Sequence, residues 1–165
     1  MHSEPNLPAG LMGLARHGVD LVDVAVIRTS LDAYGQPYVN RLFSPAEQDL
    51  ASKLADPAPF YAGRFAAKEA VVKCLGTGWR DGVPAPEIEI LRQPDGRPSL
   101  RLGRRIVGLQ QYPGDCVWLI SISHTDHLAM ASAFCLPVVQ LNELKKLLEL
   151  YSPQLPSPAK GVDAP

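Results

Sequence analysis

Between Phe60 and Gly78 the chain reads FYAGRFAAKEAVVKCLGTG, and this stretch constrains the fold more than any other. It is rich in Ala, Lys, Glu and Leu and lacks Pro, which predicts a helix. Gly76 and Gly78 close it, because Gly reaches the left-handed conformation that helix C-termini use. Wound at the helical period, Gly63, Ala66, Ala67, Ala70 and Cys74 fall on one side. That smooth stripe lets another element approach closely. The other side is expected to carry Arg64, Lys68, Glu69 and Lys73, interleaved with Tyr61, Phe65 and Val72. A solvated face would segregate its charges from aromatics; here the two share a face. One reading is two ordinary surface arrangements one turn apart, Arg64 with Lys68 and Glu69 with Lys73. The sharper reading is three cations for phosphate oxygens and one carboxylate for a metal.

The remaining composition narrows the classes. A chain of 165 residues, 46 % of them hydrophobic, can bury a normal core as one domain. Its formal net charge of -1 supplies no global field for nucleic acid or a membrane surface, so anion binding must come from a local cluster. The three cysteines, Cys74, Cys116 and Cys135, are scattered and form no CxxC pair, which argues against structural zinc and a disulfide framework. No basic start precedes an apolar run at the N-terminus, and no apolar stretch is long enough to span a bilayer. The expected setting is the cytoplasm.

Around the helix the chain divides into a flexible leader (1–17), a folded domain (18–136), a C-terminal amphipathic helix (137–151) and a disordered tail (152–165). Gly18 to Ile27, GVDLVDVAVI, opens as a strand. Asp20 sits inside that apolar run. It needs a partner if buried, or it lies at a strand end bonding backbone amides. Asp23 is placed to cap a helix through about Leu31. Ser44-Pro45-Ala46-Glu47 is a capping box with Pro at the first helical position. Glu87 to Leu91 and Ser99 to Leu102 read as strands joined by the turn Pro94-Asp95-Gly96-Arg97-Pro98. A short helix is expected over Arg104 to Gln111. Cys116 to Ser123 reads as a central strand, and Leu128 to Leu136 as the next one. Val138, Leu141, Leu144, Leu147, Leu148 and Tyr151 form the stripe of the last helix.

Three polar groups stand out from this core: Asp20; Arg64, Lys68, Glu69 and Lys73; and Ser121, Ser123, His124 and Thr125. Two carboxylates repel unless a cation lies between them. Mg²⁺ takes one or two carboxylates plus substrate phosphates. Asp20 and Glu69 therefore suit half of a metal site, with Lys73 and Arg64 as phosphate partners and His124 as a further donor. A Ser–His hydrolase is poorly supported, since no GxSxG elbow is present and the serines lie within a strand.

Gly18-Val19-Asp20-Leu21-Val22, then Arg64-Phe65-Ala66-Ala67-Lys68-Glu69-Ala70 with Lys73, then Ser121-Ile122-Ser123-His124, resemble the holo-acyl-carrier-protein synthase family of 4'-phosphopantetheinyl transferases. Phe43-Ser44-Pro45-Ala46-Glu47 is similar to the family's segment between the first two motifs. The resemblance implies an α+β fold, a small antiparallel sheet packed on a long central helix, and a homotrimer with its sites between subunits. It implies an enzyme that moves 4'-phosphopantetheine from coenzyme A to a serine of an apo acyl carrier protein, releasing adenosine 3',5'-bisphosphate. By the same resemblance Asp20 and Glu69 are ligands of Mg²⁺ or Mn²⁺. Lys73 lies near the diphosphate and the nucleophile. Arg64, Ser123, His124 and Thr125 hold the nucleotide end of coenzyme A. Lys68 supports Glu69 or touches phosphate, and Glu69 is the candidate base, so Glu69 and Lys73 are the expected catalytic pair. Where the family carries basic residues after the first strand, VAVIRTSLDAYG offers only Arg28, with Arg41 following. Two other readings use the same residues: a non-catalytic coenzyme A or nucleotide-binding module, and a metal-dependent diphosphate hydrolase.

Overall fold

The structure, a computed structural model, describes residues 15–79, 82–109 and 114–151. In chain order its elements are β1 (Arg16–Asp23), α1 (Val24–Leu42), α2 (Pro45–Ala51), α3 (Ala58–Leu75), β2 (Ile88–Arg92), β3 (Pro98–Leu102), α4 (Arg104–Val107), β4 (Cys116–His124), β5 (Leu128–Pro137) and α5 (Val138–Tyr151). A 3-10 turn, Ala85–Glu87, leads into β2. The expected leader up to residue 14 and the tail from 152 lie outside the described residues, and β1 takes in Arg16 and His17.

α3 is the axis of the fold, and it is buried on two sides. Its small-residue stripe lies on an antiparallel sheet with strand order β1-β5-β4. Ala66, Ala67 and Ala70 are fully buried there, facing Ala129, Ala131 and Ala133 of β5. Only glycine serves at position 18: a Cβ there would run into the Ala70 carbonyl oxygen and lie 2.9 Å from the Cys74 nitrogen. The opposite side of α3 packs into a second apolar layer from α1 and β2. Phe43 and Tyr61 stack there with centroids 4.4 Å apart, beside the buried Ile27, Val72, Ile88 and Ile90. Each such Val or Ile, fully buried, contributes roughly 1.5–3 kcal/mol. Gly76 ends α3 in the left-handed region at φ 76°, returning its N–H to Val72 and Lys73.

Several elements follow the sequence closely. Asp23 caps α1 by accepting from the Ala25 N–H at 2.8 Å. Ser44 and Glu47 complete the capping box of α2. The β2–β3 hairpin pairs Ile88 with Leu102 and Arg92 with Pro98, turning through Gly96.

Three expectations need correction. α1 does not stop near Leu31; it runs to Leu42 across a break at Gly35, with Pro37 just beyond. β4 is an edge strand rather than a central one, and β5 holds the middle. Its apolar run misled because one face of this sheet stays exposed: Leu21 (61 %) and Leu119 (63 %) stand out from it beside Val19 and Met130. α4 ends at Val107, and residues 110–113 lie outside the described ones. α5 forms as expected, but the side chains of Leu144, Leu147, Leu148 and Tyr151 lie outside the described residues. No helix among the described residues is long and apolar enough to cross a membrane.

Candidate active site

Asp20 and Lys73 are 53 residues apart in sequence, yet the Lys73 ammonium donates to Asp20 Oδ1 at 2.8 Å and to the Val19 carbonyl at 2.9 Å. Asp20 is in mid-strand on the side of β1 that faces α3, and its partner is this lysine rather than backbone amides. The pair is asymmetric: the Asp20 side chain is 16 % exposed and that of Lys73 51 %. A half-exposed ammonium on a flexible stem can leave its carboxylate at little cost. Glu69 lies one turn before Lys73 on the same flank of α3. Its Oε1 accepts from the Trp79 indole N–H at 2.6 Å. Glu69 and Trp79 open onto a cavity of about 610 Å³, walled by Tyr38, Leu42, Phe65, Val83 and Pro84, with Arg41 at its edge.

These acids suit a hard divalent cation. Asp20 uses Oδ1 and Glu69 uses Oε1 in the hydrogen bonds just described, so each carboxylate has a second oxygen to offer. Among the described residues no cluster of three or more His, Cys, Asp or Glu can hold a metal. Two carboxylates with the rest of the shell filled by phosphate and water is the habit of Mg²⁺.

Arg64 is elsewhere. Successive helical residues turn by about 100°, which sets Arg64 on the flank of α3 opposite Lys73. It lines a cavity of about 330 Å³ with Arg92 and Gly96 of the hairpin and with His124 at the end of β4. Leu50, Leu54 and Phe60 form its apolar wall, and none of the lining residues is acidic. The Arg64 guanidinium lies 4.4 Å over the Phe60 ring, and its buried Nε has no hydrogen-bond partner among the described residues. Burial pulls the Arg64 pKa down, Glu47 partly offsets this, and Arg92 adds to it. Arg92 is held by its Nε–H bond to the Gly96 carbonyl at 2.9 Å. Three basic side chains around one apolar-walled cavity suit an anion joined to an apolar ring. Sequence reasoning missed Arg92. The tight turn at Asp95-Gly96 was the available signal, because it folds the hairpin tip back against this side chain.

Lys68 is not part of either group. It is 0 % exposed, as is its partner Glu47. Its three donors go to Glu47 Oε2 (2.8 Å), the Ala85 carbonyl (2.9 Å) and the Ile88 carbonyl (2.7 Å). None remains for phosphate or for Glu69, so the expected ligand role is corrected to a structural one. The single charged face expected on α3 is corrected with it: Lys68 points into the core, and Arg64 and Lys73 occupy opposite flanks. Ser123 alternates with Ile122 and His124 along β4 and so falls on the other face of the sheet, away from Arg64. Thr125 Oγ accepts from the His127 and Leu128 amides at 3.2 and 3.1 Å, closing the β4–β5 turn next to His124.

The site thus has two halves at opposite edges of the sheet, an acid–lysine half at β1 and a cation half at β4. A family model described as the 4'-phosphopantetheinyl transferase superfamily matches residues 16–132. The chain is 44 % identical over 126 residues to the holo-acyl-carrier-protein synthase of Gloeobacter violaceus, covering 75 % of this chain and 94 % of that protein. It is 40 % identical over 116 residues to the synthase of the same name from Protochlamydia amoebophila, covering 70 % and 93 %. Among solved structures it resembles the Chronobacterium ammoniagenes ACPS–CoA complex, with TM-score 0.65 and 32 % identity over 74 % of this chain and 97 % of that one. With this match and the two half-sites, the chain belongs to the 4'-phosphopantetheinyl transferase superfamily.

Proposed function

We propose that this chain transfers 4'-phosphopantetheine from coenzyme A to a serine of an apo acyl carrier protein, releasing adenosine 3',5'-bisphosphate. The carrying observation is the meeting of Asp20 with Lys73 beside Glu69, at the sheet edge opposite the cavity of Arg64, Arg92 and His124. The cation cavity suits the 3'-phosphate and base of the nucleotide. Asp20 and Glu69 would hold Mg²⁺ or Mn²⁺, which when bound supplies positive charge against the diphosphate.

The carrier serine Oγ attacks the phosphorus that bears the pantetheine arm. Its proton passes to Glu69, the one carboxylate on the exposed flank of α3, directly or through a water. The new bond joins serine oxygen to phosphorus, and the bond to the bisphosphate oxygen breaks. Lys73 turns from Asp20 to the diphosphate and neutralises charge gathering on the leaving group. Arg64, Arg92 and His124 fix the nucleotide in line for that displacement. The acceptor is an acyl carrier protein, and the expected compartment is the cytoplasm, a setting consistent with three free cysteines.

The active unit is a homotrimer. Within one subunit the two half-sites are separated by the body of α3, about 10–12 Å across with side chains. They face different ways, so a neighbour's cation half completes each acid–lysine half. The uncovered sheet face with Leu21, Leu119 and Met130 is the surface such copies would bury.

The deciding experiment incubates the protein with coenzyme A, Mg²⁺ and a panel of apo carriers, read by intact-protein mass spectrometry. The expected result is a carrier heavier by one phosphopantetheine, lost in EDTA and in a folded Asp20→Ala variant. Coenzyme A binding without transfer would make the chain a non-catalytic binding module. Diphosphate cleavage without a carrier would make it a hydrolase. Full activity of Asp20→Ala in EDTA would overturn the metal assignment.

A further inference from the structure

Trp79 follows a short device in the backbone. Gly76 and Gly78 both have positive φ, 76° and 62°. The chain therefore reverses just past the end of α3 and brings residue 79 back along the helix to residue 69. The indole N–H meets Glu69 Oε1 at 2.6 Å, and the ring packs against the edge of the core. Among the described residues this is the one side-chain donor to Glu69. The cavity that Glu69 lines is walled by Phe65, Leu42 and Val83, with Tyr38 and Arg41 also lining it.

An indole is a donor only. It cannot take up a proton, and it cannot bind a cation through this nitrogen. What it can do is occupy one carboxylate oxygen permanently and fix the carboxylate plane. We propose that Trp79 is the positioning residue for Glu69. It holds Oε1 so that Oε2 faces the metal and the carrier serine. The inference rests on the role of Glu69 proposed above. Groups that orient a metal ligand from behind typically change metal affinity or activity about 10- to 100-fold when removed. The hydrogen bond also makes the indole a reporter, because its electronic environment changes when Glu69 gains a cation.

The test uses Trp79→Phe, which keeps an aromatic ring and deletes the donor, in the full chain. Mn²⁺ titration is followed by tryptophan emission and by electron paramagnetic resonance of free Mn²⁺. In the wild type, emission falls as Mn²⁺ binds. In Trp79→Phe that fall is lost and the Mn²⁺ dissociation constant rises about tenfold. At saturating Mn²⁺, kcat falls while the KM for coenzyme A holds, whereas a merely structural defect would raise KM and lower the melting temperature together. Wild-type Mn²⁺ affinity and kcat in Trp79→Phe would overturn the inference. So would a joint rise in KM and fall in melting temperature. If the variant does not fold, the wild-type protein decides: labelled with nitrogen-15, it shows two indole N–H resonances from its two tryptophans. One must move both with Mg²⁺ and in Glu69→Gln; if neither moves, Trp79 does not position Glu69. A wild type that transfers the arm but binds no Mn²⁺ would instead remove the metal role of Glu69, and this inference with it.

Discussion

Arg64 and Arg92 come from distant parts of the chain and share one cavity with His124 and no acid. Like charges are not brought together around an apolar wall for stability; burial lowers the tendency of Arg64 to stay protonated, and the charge of Arg92 lowers it further. A dianion in the cavity would stabilise the arrangement. Arg64→Ala and Arg92→Ala should each raise the KM for coenzyme A about tenfold or more, since a hydrogen bond to a charged group contributes roughly 1.5–3 kcal/mol. The KM for 3'-dephospho-coenzyme A should change far less. Steady-state kinetics with both donors checks this, and equal losses would show that neither arginine reads the 3'-phosphate. Arg64 stands out in the sequence as a candidate phosphate ligand because it sits in a helix motif of charge among small residues. Arg92 was not, since nothing in a strand end written Leu-Arg-Gln says which cavity a hairpin will close.

Lys68 joins α3 to α2, to the turn at Ala85–Glu87 and to β2 through one ammonium. Glu47 extends the lock by accepting the Ser44 and Ile90 amides at 2.7 and 3.0 Å. Ser44 in turn donates to Glu89 Oε1 at 2.6 Å, and Arg101 covers the other Glu89 oxygen. Burial pulls the Lys68 pKa down, and the charge and hydrogen bond of Glu47 oppose that. Removing one member leaves the other charged and unpaired in the core. Lys68→Ala should therefore lose about 3–5 kcal/mol of stability, and Lys68→Met with Glu47→Leu should recover part of it. Urea unfolding of the single and double variants measures both. A Lys68→Ala protein with unchanged stability and weakened coenzyme A binding would return Lys68 to the site. The capping box was visible in the sequence. Its second use was not, because the pattern that places Glu47 at N3 says nothing about which lysine reaches it.

The proposed association rests on geometry that no single element reveals. One subunit presents its acid–lysine half at the β1 edge and its cation half at the β4 edge, with β5 between them. Copies packed through the exposed sheet face would set one against the other. Mixed trimers of Asp20→Ala and His124→Ala chains should then regain part of the wild-type rate, because some interfaces pair an intact acid half with an intact cation half. Co-refolded mixtures, assayed beside each variant alone, test this, and light scattering at assay concentration gives the mass. Mixtures no more active than the separate variants, or a fully active monomer, would refute the shared site.

The sequence by itself determined what depends on neighbours a few residues away. The helix at Phe60–Gly78, its glycine stop, the Asp23 and Ser44 caps and the hairpin turn are set by local backbone preference and short-range hydrogen bonds. It also supplied the candidate inventory: Asp20, Glu69 and Lys73 for a proposed charged site, and Arg64 with His124 for a proposed anion site. Tertiary structure decided how that inventory is shared out. Lys68 and Lys73 sit five residues apart in one motif, and only packing sends the first into the core and leaves the second at Asp20. β4 is apolar enough for a central strand, and only the strand order makes it an edge whose outer face stays open. The physical reason is the same in each case. Charge and hydrophobicity say that a side chain needs a partner, and the partner's identity depends on contacts between segments tens of residues apart.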